Sequence, residues 1–525
     1  MTGAEWSFTG GNTVQDSSVE RTLAVPPSPA AKVWRNSFLI TLVGAIILFV
    51  PTLLNRDVFF YWDTPTYING AGAGVMRLLG DHAWLMPAVS QENPYPTAPG
   101  GIISTRGGVY LAGRSVYYGA LLFASILAGS LMIAAAVQAL VVSFTILLFF
   151  RAFLPGRVGY ALVCMAVLTI VTPLGYFTGL MMPDIFASVT ILLIVTLLCG
   201  WDRLSRGDRM AAFVILSFAM LAHNSHPPLA VLLVMTGYAF ARLGRLPRAP
   251  LIRPAMLVLA AVCVGLTGEV VFTRVATHAV GSPPVRLPFL SAHLQEMGPG
   301  TTYLKNHCPQ AHFEICNDRV KLPVDWRDFM FSTSPATGVF ALAGAPAKRR
   351  ISDEQVTFAL AVLKDQPVAT VMGLSAAFAE QLAMFRVQEI YILDAVAPRL
   401  PPKESRRAMQ SVVASPGDLE QVLTAVTYTA LILSVLVLAV IIVRTRTSRS
   451  AAGPGTQLWP ATALVIAGLA INAAVCGIVA SPYDRFQARV IWLLPLLALV
   501  HLAARGQASG RASRPVSTAS GRVVR

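Results

Sequence analysis

The sequence has 525 residues, a formal net charge of +15, 55% hydrophobic and only 13% charged residues, and a mean hydropathy of +0.61. Soluble domains carry about 25% charged residues, so this composition excludes an ordinary soluble protein and points to lipid. The pI near 9.9 does not signal nucleic-acid binding, which needs one contiguous basic face, because the arginines are spread over several separate loops.

Residues 1–33 are polar and lack the charged start and short apolar core of a cleavable signal. They are expected to form a disordered cytoplasmic tail, as are residues 505–525. Between the tails lie apolar runs at Trp34–Leu54, Gly129–Phe150, Gly159–Phe177, Asp184–Trp201 and Met210–Ala222. Further runs follow at Pro227–Ala241, Ala255–Thr273, Val422–Val443, Leu458–Ala480 and Val490–Ala504. Most approach the ~20 residues that cross a bilayer as a helix, and the shorter ones are expected to tilt, extend or re-enter. Only helices and closed barrels satisfy the backbone in lipid. The expectation is an all-α polytopic membrane protein with about ten transmembrane helices, interfacial helices in its first outer loop and a small outer domain.

Arginine sets the orientation. Arg151, Arg157, Arg203, Arg206, Arg209, Arg242, Arg245, Arg248 and Arg253 mark one set of helix ends, and Arg444, Arg446, Arg449 and Arg505 continue it. The short loops Gly179–Pro183 and Asn224–Pro228 carry no Lys or Arg. This positive-inside pattern predicts both termini in the cytoplasm and a multi-pass protein of the inner (plasma) membrane. The expected division is a membrane core at 34–276 with its first outer loop at 55–128, an outer domain at 277–420, and C-terminal helices at 421–504. The run 368–385 is interrupted by Glu380 and is read as an amphipathic helix on the membrane or on the bundle.

The chemistry-bearing residues fall at the arginine-poor ends. Asp63 follows the first span in Tyr61-Trp62-Asp63-Thr64-Pro65. A carboxylate at a membrane mouth is costly unless solvated or functional, and the bland alternative is a turn residue before Pro65. Asp184 opens the fourth run after Pro183, where an N-cap is the competing reading. Arg114-Ser115-Val116-Tyr117-Tyr118 precedes an apolar stretch too short to cross, the pattern of an interfacial helix before a span. Tyr117 and Tyr118 also fit an aromatic belt. Arg485 and Arg489, four apart in Ser481-Pro482-Tyr483-Asp484-Arg485, would share a helical face and suit a phosphate, which guanidinium binds bidentately. Snorkelling is the plainer alternative.

His223 and His226 are expected to cap helix ends, and no metal site is assigned, although a divalent ion stays open as a cofactor. Cys308 and Cys316 fall in the outer domain and pair most simply as a disulfide. The nearby His307 and His312 leave a zinc reading open.

The order of these parts resembles the GT-C superfamily of integral membrane glycosyltransferases, particularly the protein mannosyltransferase and aminoarabinose transferase group. The likeness rests on Asp63-x-x-x-Tyr67 after the first span, the Arg114/Tyr117-Tyr118 interfacial helix, the outer acid Asp184, and an Arg-bearing turn before the last helix. It covers roughly the first 240 residues and the last span. Gly113–Leu154 has Arg114-Ser115 where that group often has His-Pro-Pro. The resemblance implies transfer of a sugar from a polyprenyl-phosphate donor to a glycan, lipid or protein acceptor. It implies Asp63 as the base and Asp184 as a second acid, with inversion at the anomeric carbon. By the same resemblance Arg485, Arg489 and Arg114 would bind donor phosphate, and Tyr67, Tyr117, Tyr118, His226 and Tyr483 would touch donor or acceptor. The rival class is a transporter or flippase, expected to bury ionisable residues deep in paired, interrupted helices. A scaffold subunit whose outer domain binds a partner is the third.

Overall fold

The computed structural model describes residues 29–79, 109–244, 251–447 and 458–512. The terminal stretches 1–28 and 513–525, most of the first outer loop at 80–108, and the loops 245–250 and 448–457 lie outside the described residues. The chain divides at Leu39. Of the first unit, residues 1–39, only the opening of a helix is described, and everything below concerns residues 40–525.

The described residues are helical, with no strand among them and two isolated bridges. Helix α1 (Pro29–Leu54) starts inside the stretch expected as a tail, with a proline at a position where its missing N–H costs nothing. It is followed by α2 (Thr64–Leu79), α3 (Val116–Leu127), α4 (Met132–Phe153), α5 (Tyr160–Val171) and α6 (Leu174–Gly179). Then come α7 (Ile185–Gly200), α8 (Arg206–Ala222), α9 (His226–Arg242) and α10 (Ile252–Val280). Between these and the closing helices come α11 (Phe289–Met297), α12 (Pro299–His307), α13 (Trp326–Phe331), α14 (Ala345–Asp365), α15 (Pro367–Ala383), α16 (Leu393–Val396) and α17 (Pro402–Ala408). The chain closes with α18 (Leu419–Thr447), α19 (Leu458–Ala480), α20 (Asp484–Ile491) and α21 (Leu493–Ala512), which carries helix into the expected C-terminal tail.

Seven of the ten expected spans are helices long and apolar enough to cross a membrane: those within α1, α4, α7, α10, α18 and α19, and the α20–α21 pair. The other three are shorter. Helices α8 and α9 have 17 residues each, about 25 Å at 1.5 Å per residue. The third, Gly159–Phe177, breaks into α5 and α6 at Thr172, because the residue before a proline is driven out of the helical region. Where α6 ends, its last carbonyls have no helical partner, and lipid cannot supply one. The buried amide of Gln138 on α4 donates to Thr178 O at 2.8 Å and Leu180 O at 3.1 Å, and its oxygen accepts from the Tyr118 hydroxyl at 2.9 Å.

The two ends of the bundle differ in charge. At one, Arg151 at the end of α4 meets Asp208 at 2.8 Å, and Asp208 also completes a capping box with Ser205 at the start of α8. Arg203 and Arg209 donate to backbone carbonyls of Ala152 and Trp201 at the same end. At the opposite ends of α7 and α8 lie Asp184 and the His223–His226 turn.

The segment expected as one outer domain divides in two. Residues 285–362, joined by Val109, close around a core containing Leu294, Phe329, Phe340, Ile351 and Phe358. Cys308 and Cys316 form a disulfide at its edge. Residues 385–413 instead bury Phe385, Val387, Ile390 and Val413 in the core of the helical bundle. Helix α15, the run expected to lie on the membrane or bundle, packs on α19, α14 and α20 and is not among the seven candidate spans.

Candidate functional site

The site begins where two acid-bearing loops are tied together. Backbone bonds join Phe59 N–H to Gly179 O and Met181 N–H to Phe59 O, each at 2.9 Å. The Thr64 hydroxyl donates to Met181 O at 3.0 Å and accepts from Tyr61 N–H. Asp63 and Asp184, distant in sequence, therefore sit directly before the starts of α2 and α7 in one braced unit.

Each acid faces arginine. Asp63 pairs with Arg114 Nη2 at 2.5 Å, both side chains about one-fifth exposed. Ser115 fixes Arg114 from behind: its hydroxyl caps α3 by accepting from Tyr117 and Tyr118 N–H and donates to Leu221 O at 2.6 Å. Asp184 makes no capping bond, so the N-cap alternative does not describe its side chain. Its two oxygens lie 3.4 Å from Arg489 Nη1 and 3.7 Å from Arg485 Nη1. Arg489 is 1% exposed, and its Nη2 also reaches Asn472 Oδ1 and Cys476 Sγ at 3.2 Å. The Arg485 guanidinium carbon sits over the Tyr61 ring, 4.0 Å from its centroid. Burial would raise the Asp63 carboxyl, but the charges of Arg114 and Arg485 and the Arg114 hydrogen bond outweigh it and hold it below the usual carboxylate range. Arg485 Nε and Nη1 and Arg489 Nε make no hydrogen bond.

Two clefts flank this network. The first is lined by Tyr61, Tyr176, Phe177, residues 386–389, Tyr483, Asp484 and Arg485. The second lies between α3, α8 and α10 and contains Arg114, Tyr117, Asn224 and Glu269. Asp63 lines neither, but it feels the charge of one guanidinium from each.

Of the residues singled out from sequence, Asp63, Asp184, Arg114, Arg485 and Arg489 form this network. Tyr67 and Tyr118 stack edge-on beside it, ring centroids 5.2 Å apart. Tyr483 lines the first cleft and hydrogen-bonds the Tyr61 hydroxyl at 2.9 Å. Tyr117 turns away, donating to Gly268 O at 2.7 Å. His226 is buried with Nδ1 on Ala219 O at 2.7 Å. His307 meets Asp365 at 3.0 Å, and no cluster of three metal-ligating side chains occurs among the described residues. With both cysteines in the disulfide, the zinc alternative has no thiolate to offer.

Sequence reasoning missed Tyr61, Glu389, Asn472 and Gln381. Asn472 was findable, as a lone amide inside an apolar span is a functional signal by default. Glu389 carried no such sign. It stands in an aperiodic strap, residues 384–392, and reaches Tyr61 only through the tertiary fold. Gln381 holds both the N–H and the carbonyl of Tyr483, each at 2.9 Å.

No protein-family model, curated protein or solved structure matches this chain.

Proposed function

We propose that this protein is a glycosyltransferase that moves a sugar from a polyprenyl-phosphate donor to an acceptor hydroxyl on the outer face of the plasma membrane. The observation that carries the reading is the buried network in which Asp63 and Asp184 meet Arg114, Arg485 and Arg489. Two carboxylates against three guanidinium groups leave an excess positive charge, and an uncompensated buried charge is costly unless an anion joins it. The unbonded donors of Arg485 and Arg489 suit phosphate oxygens.

In this mechanism the acceptor oxygen attacks the anomeric carbon as the bond from that carbon to the phosphate oxygen breaks. The electron pair leaves with the phosphate, which the arginines stabilise, and configuration inverts. The acceptor proton passes to Asp63. A carboxylate held in its ionised form is a weak base, adequate because the hydroxyl grows acidic as the new bond forms. Donor phosphate competes with Asp63 for Arg114, so its arrival would also free the base.

The reading carries a topology of about ten crossings, with α8, α9 and α5–α6 completing the seven candidate spans, the arginine-rich ends and both termini in the cytoplasm, and the site outside. The test compares surface glycolipids and glycans by mass spectrometry in cells carrying wild type or Asp63→Asn. A sugar-sized mass absent in the variant, with membrane insertion normal, is expected, at a loss of about 10²–10⁴-fold for a missing general base. Unchanged glycoconjugates would sink the enzyme and favour a transporter or scaffold.

A further inference from the structure

Residues 402–413, which begin with α17, bridge the arginine-poor ends of α1 and α4. Lys403 Nζ and Arg407 Nη1 both donate to Gly129 O at 3.0 Å, in the turn that opens the candidate span of α4. On the other side Val412 N–H donates to Asn55 O at 3.0 Å and Val413 N–H to Asn55 Oδ1 at 3.1 Å. Asn55 directly follows the candidate span of α1. These bonds hold the segment at the level where two membrane helices end.

The surface it presents there has two chemistries. Lys403 and Arg406, three apart on α17, share a face, and both are exposed, as is Arg56 beside Asn55. Next to them stand the exposed apolar side chains Met409 and Val412, with Leu53 and Leu54 at the end of α1 and Leu127 at the end of α3. Water suits the first set and hydrocarbon the second, so only the boundary between headgroups and acyl chains suits both.

The charge on this surface is free to act outward. Arg114, Arg485 and Arg489 meet Asp63 and Asp184 inside the bundle. The one acid of α17, Glu404, is instead buried beneath the basic face, 3.7 Å from Arg407. Burial raises the carboxyls of Glu404 and of Asp57 nearby, which trims the negative charge under that face.

From this placement we propose that residues 402–413, with the adjoining ends of α1 and α3, form a docking surface for an anionic phospholipid of the surrounding bilayer. Lys403, Arg406 and Arg56 meet the headgroup phosphate, and the five apolar side chains lie against the upper part of the acyl chains. The surface is continuous with the lipid-facing side of α1, where Leu54 is 72% exposed. A zwitterionic headgroup brings its own cation, which this face repels. Soluble phosphate would satisfy the basic groups and leave the apolar ones in water. The inference does not rest on the glycosyltransferase reading.

The test uses the full-length protein in nanodiscs of phosphatidylglycerol and phosphatidylcholine. One of the two lipids at a time carries a photoreactive diazirine in its acyl chain, and labelled residues are mapped by peptide mass spectrometry. Residues 402–413 and the ends of α1 and α3 should be labelled more by the phosphatidylglycerol probe than by the phosphatidylcholine probe. That ratio should fall about fivefold in Arg406→Gln, the scale of about 1 kcal/mol per basic residue near a bilayer surface. It should fall further in the Lys403→Gln, Arg406→Gln double variant.

Arg406 is exposed and bonds to no other side chain among the described residues, so its replacement does not threaten folding. In the double variant Arg407 still holds Gly129 O. Arg350→Gln, which removes a charge paired with Glu314 away from this surface, should leave the ratio unchanged. No labelling of residues 402–413, equal labelling by the two probes, or a ratio unchanged in both variants overturns the proposal. So does an equal fall in Arg350→Gln, or loss of the preference on adding excess inorganic phosphate.

Discussion

Replacing Asp184 with asparagine keeps the shape of the side chain and removes the negative charge between two guanidinium groups. At 3.4 and 3.7 Å, an effective dielectric of about 20 gives gross attractions of about 5 and about 4.5 kcal/mol. Desolvation of all three groups offsets much of that sum, and removing one partner of a buried pair costs about 3–5 kcal/mol in practice. Asp184→Asn should fall in that range because Arg489, 1% exposed, has no route to water. The assay is unfolding by SDS titration in mixed micelles, applied to wild type, Asp184→Asn, Arg489→Met and the double variant. The double variant should be less destabilised than the sum of the two singles, with a coupling of about 2 kcal/mol. Additivity within about 0.5 kcal/mol would refute the claim that these charges form one buried network.

Two further outcomes are expected. Asp57 is buried, with one oxygen on Val58 N–H at 2.8 Å and the other without a partner. Burial pushes its carboxyl up to about 6, against the Val58 bond that lowers it, with the Glu404 charge adding to the rise and Arg407 opposing it. A raised value in the fold means its contribution is complete below the ordinary 3.8 and lost as pH rises through about 6. Asp57→Asn should therefore stabilise the protein at about pH 7.5, by roughly 2–3 kcal/mol at most, and leave it unchanged near pH 4. Melting curves at both pH values check this, and equal shifts at both would contradict it. Gly119 is where α3 touches α2: a Cβ there would lie 2.3 Å from Tyr67 O. Gly119→Ala should cost about 1–3 kcal/mol as an overpacked contact and weaken the Asp63–Arg114 pair, read as a lower melting temperature and reduced transfer.

The membrane character and the charge asymmetry of the helix ends were legible because lipid imposes them residue by residue. Apolar length and arginine placement are local properties of the chain. The acids and arginines of the site were legible for the same reason, as charges at arginine-poor ends violate a simple rule. The break at Thr172 was less so, since Gly159–Phe177 reads as one apolar run and only Pro173 marks the interruption. The division of 277–420 was hidden because hydropathy does not tell a strap buried against the bundle from one buried in a separate core. Glu389 stayed invisible because its meaning lies in Tyr61, 328 residues away.

Gln138 links two things that otherwise have no reason to be connected. One amide caps carbonyls where α6 ends and the chain turns toward α7 and, with its oxygen, anchors the phenol of Tyr118. Backbone repair and aromatic placement thus share a single side chain. A lineage that carried helix on past Gly179 would tie up these carbonyls, strand the amide without acceptors and cut Tyr118 adrift, so the turn and the aromatic ring are inherited together.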